Sequence, residues 1–185
     1  MCRYVVLIRA INVGGKNRLP MADLRTELER LGFTRVSSYL ASGNVILSSA
    51  EGAASVRELI EAQLPQRLAL DTKLIRVHVL TAAQFRKVLE GRPAGFGEQP
   101  AVHHSDAVFL MDLGVDDAMA IMNPREGVDQ VWPGDGVIYF QRLSAERSKS
   151  RLGRIVGTPQ YKSMTIRSWQ TVLKLGAALA ADPAS

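Results

Sequence analysis

The sequence holds one cysteine, Cys2, and three histidines, His78, His103 and His104, so neither a disulfide framework nor a cysteine-rich zinc site is available to it. A lone thiol at the N-terminus fits a reducing, cytoplasmic setting. His103 and His104 are adjacent, and neighbouring residues on an extended chain point to opposite sides, so a shared metal is not expected. No H-E-x-x-H, Walker A, G-x-G-x-x-G or G-x-S-x-G pattern occurs, and nothing calls for a cofactor. The longest early apolar run, Tyr4 to Ile8, is closed by Arg9, too short for a signal-peptide core or a membrane span. Aromatic residues are only 6% of the chain, and Tyr4 and Tyr39 are too few to form the stacking platform of an RNA-reading sheet.

What is present describes an ordinary globular chain: 185 residues, 46% hydrophobic and 22% charged. A chain of this size buries roughly 70% of its unfolded surface and needs no covalent staple. The net charge of +5 is unevenly spread. Residues 1–18 carry Arg3, Arg9, Lys16 and Arg18 without an acid. Residues 101–141 carry seven acids against Arg125 alone, and residues 142–185 carry eight bases against Glu146 and Asp182. Two readings follow, acidic and basic halves that compensate each other, or a surface that binds anions.

The order of elements is legible in the spacing. Cys2 to Ile8 reads as a strand, and Met21, Leu24, Leu28 and Leu31 recur at helical intervals after Pro20. Val36–Leu40 and Val45–Ser48 form a hairpin through Ala41-Ser42-Gly43-Asn44, a helix follows from about Ala53 to Leu70, and Lys73–Leu80 alternates as a half-buried strand. The result is βαββαβ, the ferredoxin-like or α-β plait arrangement, with helices on one face of an antiparallel sheet. Thr81 caps a further helix, and the stretch Gly91–Pro100 breaks regular structure. The chain therefore divides into a plait over residues 1–80 and a second, plait-like subdomain over 81–185. The second is expected as strand, helix and two strands turning at Pro133-Gly134-Asp135-Gly136, then a basic helix over Ser148–Val156 and a last helix over Ser168–Leu179. No final strand is evident. The fold class is α+β.

Three groups of residues suggest a ligand site. The loop Asn12, Gly14, Gly15, Lys16, Asn17 and Arg18 lies where a strand feeds a helix, a place where backbone N–H groups cradle phosphates. Ser42, Gly43 and Asn44 form a second polar turn. Arg147, Arg151 and Arg154 would share one stripe of the basic helix, followed by Arg167 and Trp169, which offer phosphate contact and base stacking unless Trp169 anchors the last helix in the core with Val172, Leu173 and Leu179. These residues point to a phosphate-bearing ligand, nucleic acid or nucleotide. An enzyme acting on a small anionic substrate is a second reading, with Asn12, Lys16 and Ser42 or Asn44 polarising it and a carboxylate or His78 as base. A homodimer or larger assembly of copies joined at a sheet edge is a third.

Leu7-Ile8-Arg9-Ala10-Ile11-Asn12-Val13-Gly14-Gly15-Lys16-Asn17, Pro20-Met21-Ala22-Asp23-Leu24, Leu31-Gly32-Phe33, Ser42-Gly43-Asn44-Val45 and the closing Arg167-Ser168-Trp169-Gln170-Thr171-Val172-Leu173-Lys174-Leu175 together resemble the bacterial domain of unknown function 1697 family. Where that pattern has Gly, Gln, Asn and Asn, this chain has Ala10, Ala41, Ser168 and Gln170. The resemblance implies two α-β plait subdomains, carries no established activity, and implies a shared site among the matched residues.

Overall fold

The computed structural model describes residues 1–9, 11–12, 15–71 and 74–181, and its element order carries the expected α+β class. Two four-stranded antiparallel sheets are present, one in each compact unit. The first unit comprises residues 1–85 and 175–185, the second residues 86–174. The division between residues 85 and 86 lies inside the helix Ala82–Glu90, five residues beyond the expected 80/81, and the end of the last helix groups with the first unit.

In the first unit β1 (Cys2–Arg9), α1 (Met21–Arg30), β2 (Thr34–Tyr39), β3 (Asn44–Ser49), α2 (Ala53–Arg67) and β4 (Arg76–Thr81) follow one another as βαββαβ, with strands ordered β2-β3-β1-β4. Tyr4, Val6 and Ile8 of β1, with Val45, Leu47 and Val77, meet Leu24 and Leu28 of α1 and Val56, Ile60 and Leu64 of α2. The period of two on the strands and 3.6 on the helices makes those residues one layer. The opposite face is covered at its centre, where Val5 and Leu7 are fully buried and Ile46 and Leu80 nearly so, while the edge strand β2 stays largely exposed. Pro65 lies inside α2, two residues before its end at Arg67, where it removes one i→i−4 hydrogen bond close to where the helix stops. α3 (Ala82–Glu90) begins at a reciprocal cap. Gln84 N–H donates to Thr81 Oγ1 at 3.1 Å, and Thr81 N–H donates to Gln84 Oε1 at 2.9 Å.

The second unit repeats the strand order. β5 (His103–Leu110), α4 (Val115–Met122), β6 (Asp129–Gly134), β7 (Val137–Leu143) and β8 (Met164–Ser168) form a sheet ordered β6-β7-β5-β8. β8 is the final strand that the sequence did not disclose. Where the first unit places α2, this one has three 3-10 turns, Ser144–Lys149, Leu152–Gly157 and Pro159–Ser163. The expected basic helix over 148–156 is therefore absent. Ser150 adopts an extended ψ of 145°, and Leu152 and Ile155, three residues apart as a 3-10 repeat requires, dock into the core with Val108, Ile138 and Met164. α5 (Trp169–Ala181) closes the chain. No helix among the described residues is long and apolar enough to cross a membrane.

The other face of the second sheet carries an aromatic cluster. Phe96 stands edge-on to Tyr139, Trp169 and Trp132 at centroid distances of 5.2, 5.1 and 6.0 Å. Tyr139 donates its hydroxyl to Val88 O at 2.7 Å, and burial, with Asp135 adding, pushes its phenol up to about 12. The contribution of the neutral phenol is complete below the unfolded pKa of about 10 and is lost as pH climbs through about 12. The urea midpoint should accordingly fall between about pH 9 and pH 11.5, and Tyr139→Phe should flatten that fall while removing a bond worth about 1 kcal/mol. An equal fall in both proteins would contradict this.

Candidate functional site

β1 ends at Arg9 and α1 starts at Met21, and the connection between them is tied by its own side chains. Asn12, at φ 54°, donates its backbone N–H to Asn17 O at 3.0 Å. Its side chain behaves as an extra peptide group: Oδ1 accepts Leu19 N–H at 2.7 Å, and Nδ2 donates to Leu19 O at 2.9 Å. Asn17 is buried, has φ 48°, and donates its N–H to Asp71 Oδ2. Ile11 and Leu19 anchor the two ends of the loop in the core. What remains outside is Gly15, Lys16 and Arg18, all exposed. A Cβ on Gly15 would lie 4.0 Å from Arg18 Nη2, so the guanidinium folds over the glycine beside Lys16. Among the described residues neither Lys16 nor Arg18 has an ion-pair partner. Gly14, named with this loop from the sequence, lies outside the described residues.

The second turn is packed against the first. Gly43 O accepts Ile8 N–H at 2.7 Å, and a Cβ on Gly43 would stand 2.5 Å from Ile8 O and 3.1 Å from Ile11. Only glycine fits there at φ 71°. Asn44 is fully buried and donates Nδ2 to Ser42 Oγ at 2.8 Å and to Tyr39 O at 3.1 Å. Asn12, Asn17 and Asn44 therefore shape the loops, while Lys16, Arg18 and Ser42 are the groups they present. His78 is half-buried on β4, opposite Leu7 of β1.

The C-terminal candidates belong to the second unit and do not form a stripe. Arg151 is held by the fold: its N–H donates to Asp129 Oδ2 at 2.9 Å and its Nη1 to Asn123 Oδ1 at 2.9 Å. Arg147 and Arg154 are exposed on different 3-10 turns, Ser144–Lys149 and Leu152–Gly157. Arg167 donates Nη1 to Thr165 Oγ1 at 2.8 Å and to Ile166 O at 2.9 Å, and burial pushes its pKa down to about 10, still a cation at neutral pH. Trp169 is 2% exposed and has no free ring face, which removes it as a stacking platform. Ser168 Oγ lies 2.9 Å from Thr171 Oγ1 and accepts Thr171 N–H at 3.3 Å, capping α5. Among the described residues no group of three His, Cys, Asp or Glu is placed to hold a metal ion.

A family model described as "Protein of unknown function (DUF1697)" matches residues 1–139. The chain belongs to this family. The match spans both loops and ends in β7, short of the Arg167–Leu175 motif. Among solved structures this DUF1697 chain is similar to the conserved bacterial protein SP0830 from Streptococcus pneumoniae, at 29% identity and a TM-score of 0.80, over 96% of this chain and 98% of that one. It matches no curated protein.

The second unit of this DUF1697 protein also holds a charge cluster that composition hid. Arg142 Nη1 meets Asp106 Oδ2 at 2.8 Å with both side chains buried, and His104 Nε2 lies 3.4 Å from Asp106 Oδ1. Burial raises the Asp106 pKa, opposed by the positive charges of Arg142, His104 and Arg147. Asp106 of the acidic block thus meets Arg142 of the basic block inside the unit. The available signal was positional: Asp106 directly precedes the apolar strand run Ala107–Leu110, and Arg142 lies two residues beyond the run Val137–Phe140.

Proposed function

We propose that this protein binds a phosphate-bearing ligand, nucleic acid before free nucleotide, at the paired loops of its first unit. The observation that carries the reading is that Lys16 and Arg18 stand exposed and without ion-pair partners, among the described residues, on a loop tied down by Asn12 and Leu19. The ties between Asn12 and Leu19 and between Asn12 and Asn17 lower the ordering cost of presenting those charges at binding. The central strands β1 and β3 of the first unit are buried on both faces, which leaves no sheet platform there and favours the loop end for a ligand. The order β2-β3-β1-β4 under a βαββαβ chain supports describing the first unit as a ferredoxin-like plait, a fold that by itself names no function. The exposed lone thiol of Cys2 supports a cytoplasmic setting.

The expected behaviour is modest, salt-sensitive affinity. Two phosphate contacts on a single strand give a log–log salt slope of about −1.4, so raising salt from about 50 to about 200 mM should weaken binding about sevenfold. Anisotropy titrations with labelled single-stranded RNA, single-stranded DNA, duplex DNA and a nucleoside triphosphate measure this. No binding of any probe at the lower salt, or binding indifferent to salt, would end the proposal.

A further inference from the structure

Arg9 and Arg76 stand directly opposite each other on the last rung of the β1–β4 ladder. Residues so placed on one face of an antiparallel pair have Cβ atoms about 4.5–5.5 Å apart, and like charges there oppose the pairing. Register fixes the juxtaposition. Leu7 faces His78 and Val5 faces Leu80 along the same side, so a one-residue slip that parted the two arginines would also turn the buried Val5 and Leu7 out of their places. Both arginines are half-buried, and the Arg76 side chain is 36% exposed.

The acid nearest Arg76 is divided among several donors. Glu61 Oε1 accepts Val77 N–H at 2.7 Å, lies 3.4 Å from Arg57 Nε and reaches Arg76 Nε only at 3.9 Å. It offsets the facing pair in part. The chain leaves Arg9 directly for the loop that carries Lys16 and Arg18, and Asn17 N–H donates to Asp71 Oδ2 on the approach to β4. That bond ties the loop to the segment leading into Arg76, so the arginine pair and the loop cations lie at one end of the first sheet.

We propose that Arg9 and Arg76 hold a phosphate between them, a subsite beside Lys16 and Arg18, so that the loop's ligand is a chain of several phosphates rather than a single one. The subsite rests on the loop reading and extends it. An anion between the two guanidinium groups replaces their repulsion with two charge-assisted contacts, and the planar fork of arginine takes phosphate oxygens in pairs.

Three phosphate contacts instead of two steepen the single-strand salt slope from about −1.4 to about −2.1, so raising salt from about 50 to about 200 mM should weaken labelled single-stranded RNA binding to the full chain about 18-fold instead of about sevenfold. Arg9→Gln/Arg76→Gln should return the loss to about sevenfold. Its unfolding midpoint should hold, because facing like charges do not hold two strands together. Arg76→Gln alone should weaken binding at least threefold at the lower salt. In competition with the RNA, a nucleoside monophosphate should bind at least tenfold more weakly than a nucleoside triphosphate. A triphosphate as tight as the RNA assigns a compact polyphosphate, and a weaker one assigns a strand. Absence of RNA binding by the parent at the lower salt would overturn the loop reading and the subsite with it. A sevenfold loss in the parent that neither arginine variant alters, or a monophosphate as tight as the triphosphate, would overturn the subsite alone.

Discussion

Replacing Arg142 by methionine should destabilise the protein by about 3–5 kcal/mol, because it leaves the Asp106 carboxylate buried without its partner. The guanidinium lies 2.8 Å from Asp106 Oδ2, and both side chains are under a tenth exposed, so water does not replace what is lost. Partial recovery should follow acidification. Burial already raises the Asp106 pKa, and without Arg142 the folded state favours the protonated acid still more. A group whose folded pKa is raised stabilises fully below its unfolded pKa and loses that contribution as pH rises through the folded value. The defect of the variant should therefore be larger at neutral pH than in acid, where the raised pKa lets Asp106 take up a proton. Adding Asp106→Leu to Arg142→Met should restore most of the loss, since an apolar pair of similar volume is close to neutral in such sites. Urea midpoints of the single and double variants measure both statements, and a single variant as stable as the parent would contradict the burial of the pair.

Gly43→Ala is expected to cost about 2–5 kcal/mol, combining about 1–2 for a left-handed residue with a Cβ and about 1–3 for overpacking. The methyl would stand 2.5 Å from Ile8 O, a backbone atom in the central strand, so relief requires separating the turn from β1. Gly153→Ala is the control, with nothing within 4 Å of its Cβ position and no positive φ, and should stay within about 0.5 kcal/mol. Because Gly43 also packs on Ile11, at the foot of the Lys16 loop, its replacement should weaken loop-dependent binding in the protein that still folds. Thermal unfolding of the two variants decides this, and equal midpoints would show that the turn yields freely.

The elements read correctly from sequence are those whose signal is local. Met21, Leu24, Leu28 and Leu31 repeat at helical spacing, and α1 occupies that stretch. Asp135-Gly136 marks the β6–β7 reversal because a two-residue hairpin needs those residues, and β7 begins directly after it. Regions decided by tertiary contact were opaque. β8 is five residues long and reads as Met-Thr-Ile-Arg-Ser, with no alternation strong enough to stand out until β5 is beside it. Arg147, Arg151 and Arg154 have α-helical spacing, but Asp129, distant in sequence, captures the Arg151 N–H while Leu152 and Ile155 dock in a 3-10 repeat. The loop residues were found by type and misjudged by role. Asn12 and Asn44 looked like ligand contacts because exposed asparagines are, whereas their amides are consumed in holding the loops, which is visible only once Leu19 and Tyr39 are placed beside them.

The most direct measurement is the affinity of labelled single-stranded RNA, at about 50 mM salt, for three proteins of matched unfolding midpoint: the parent, Lys16→Ala/Arg18→Ala and Arg147→Ala/Arg154→Ala. Binding that is lost in the loop variant and kept in the other is the expected result. Binding that survives removal of Lys16 and Arg18 and disappears with Arg147 and Arg154 would contradict the loop assignment.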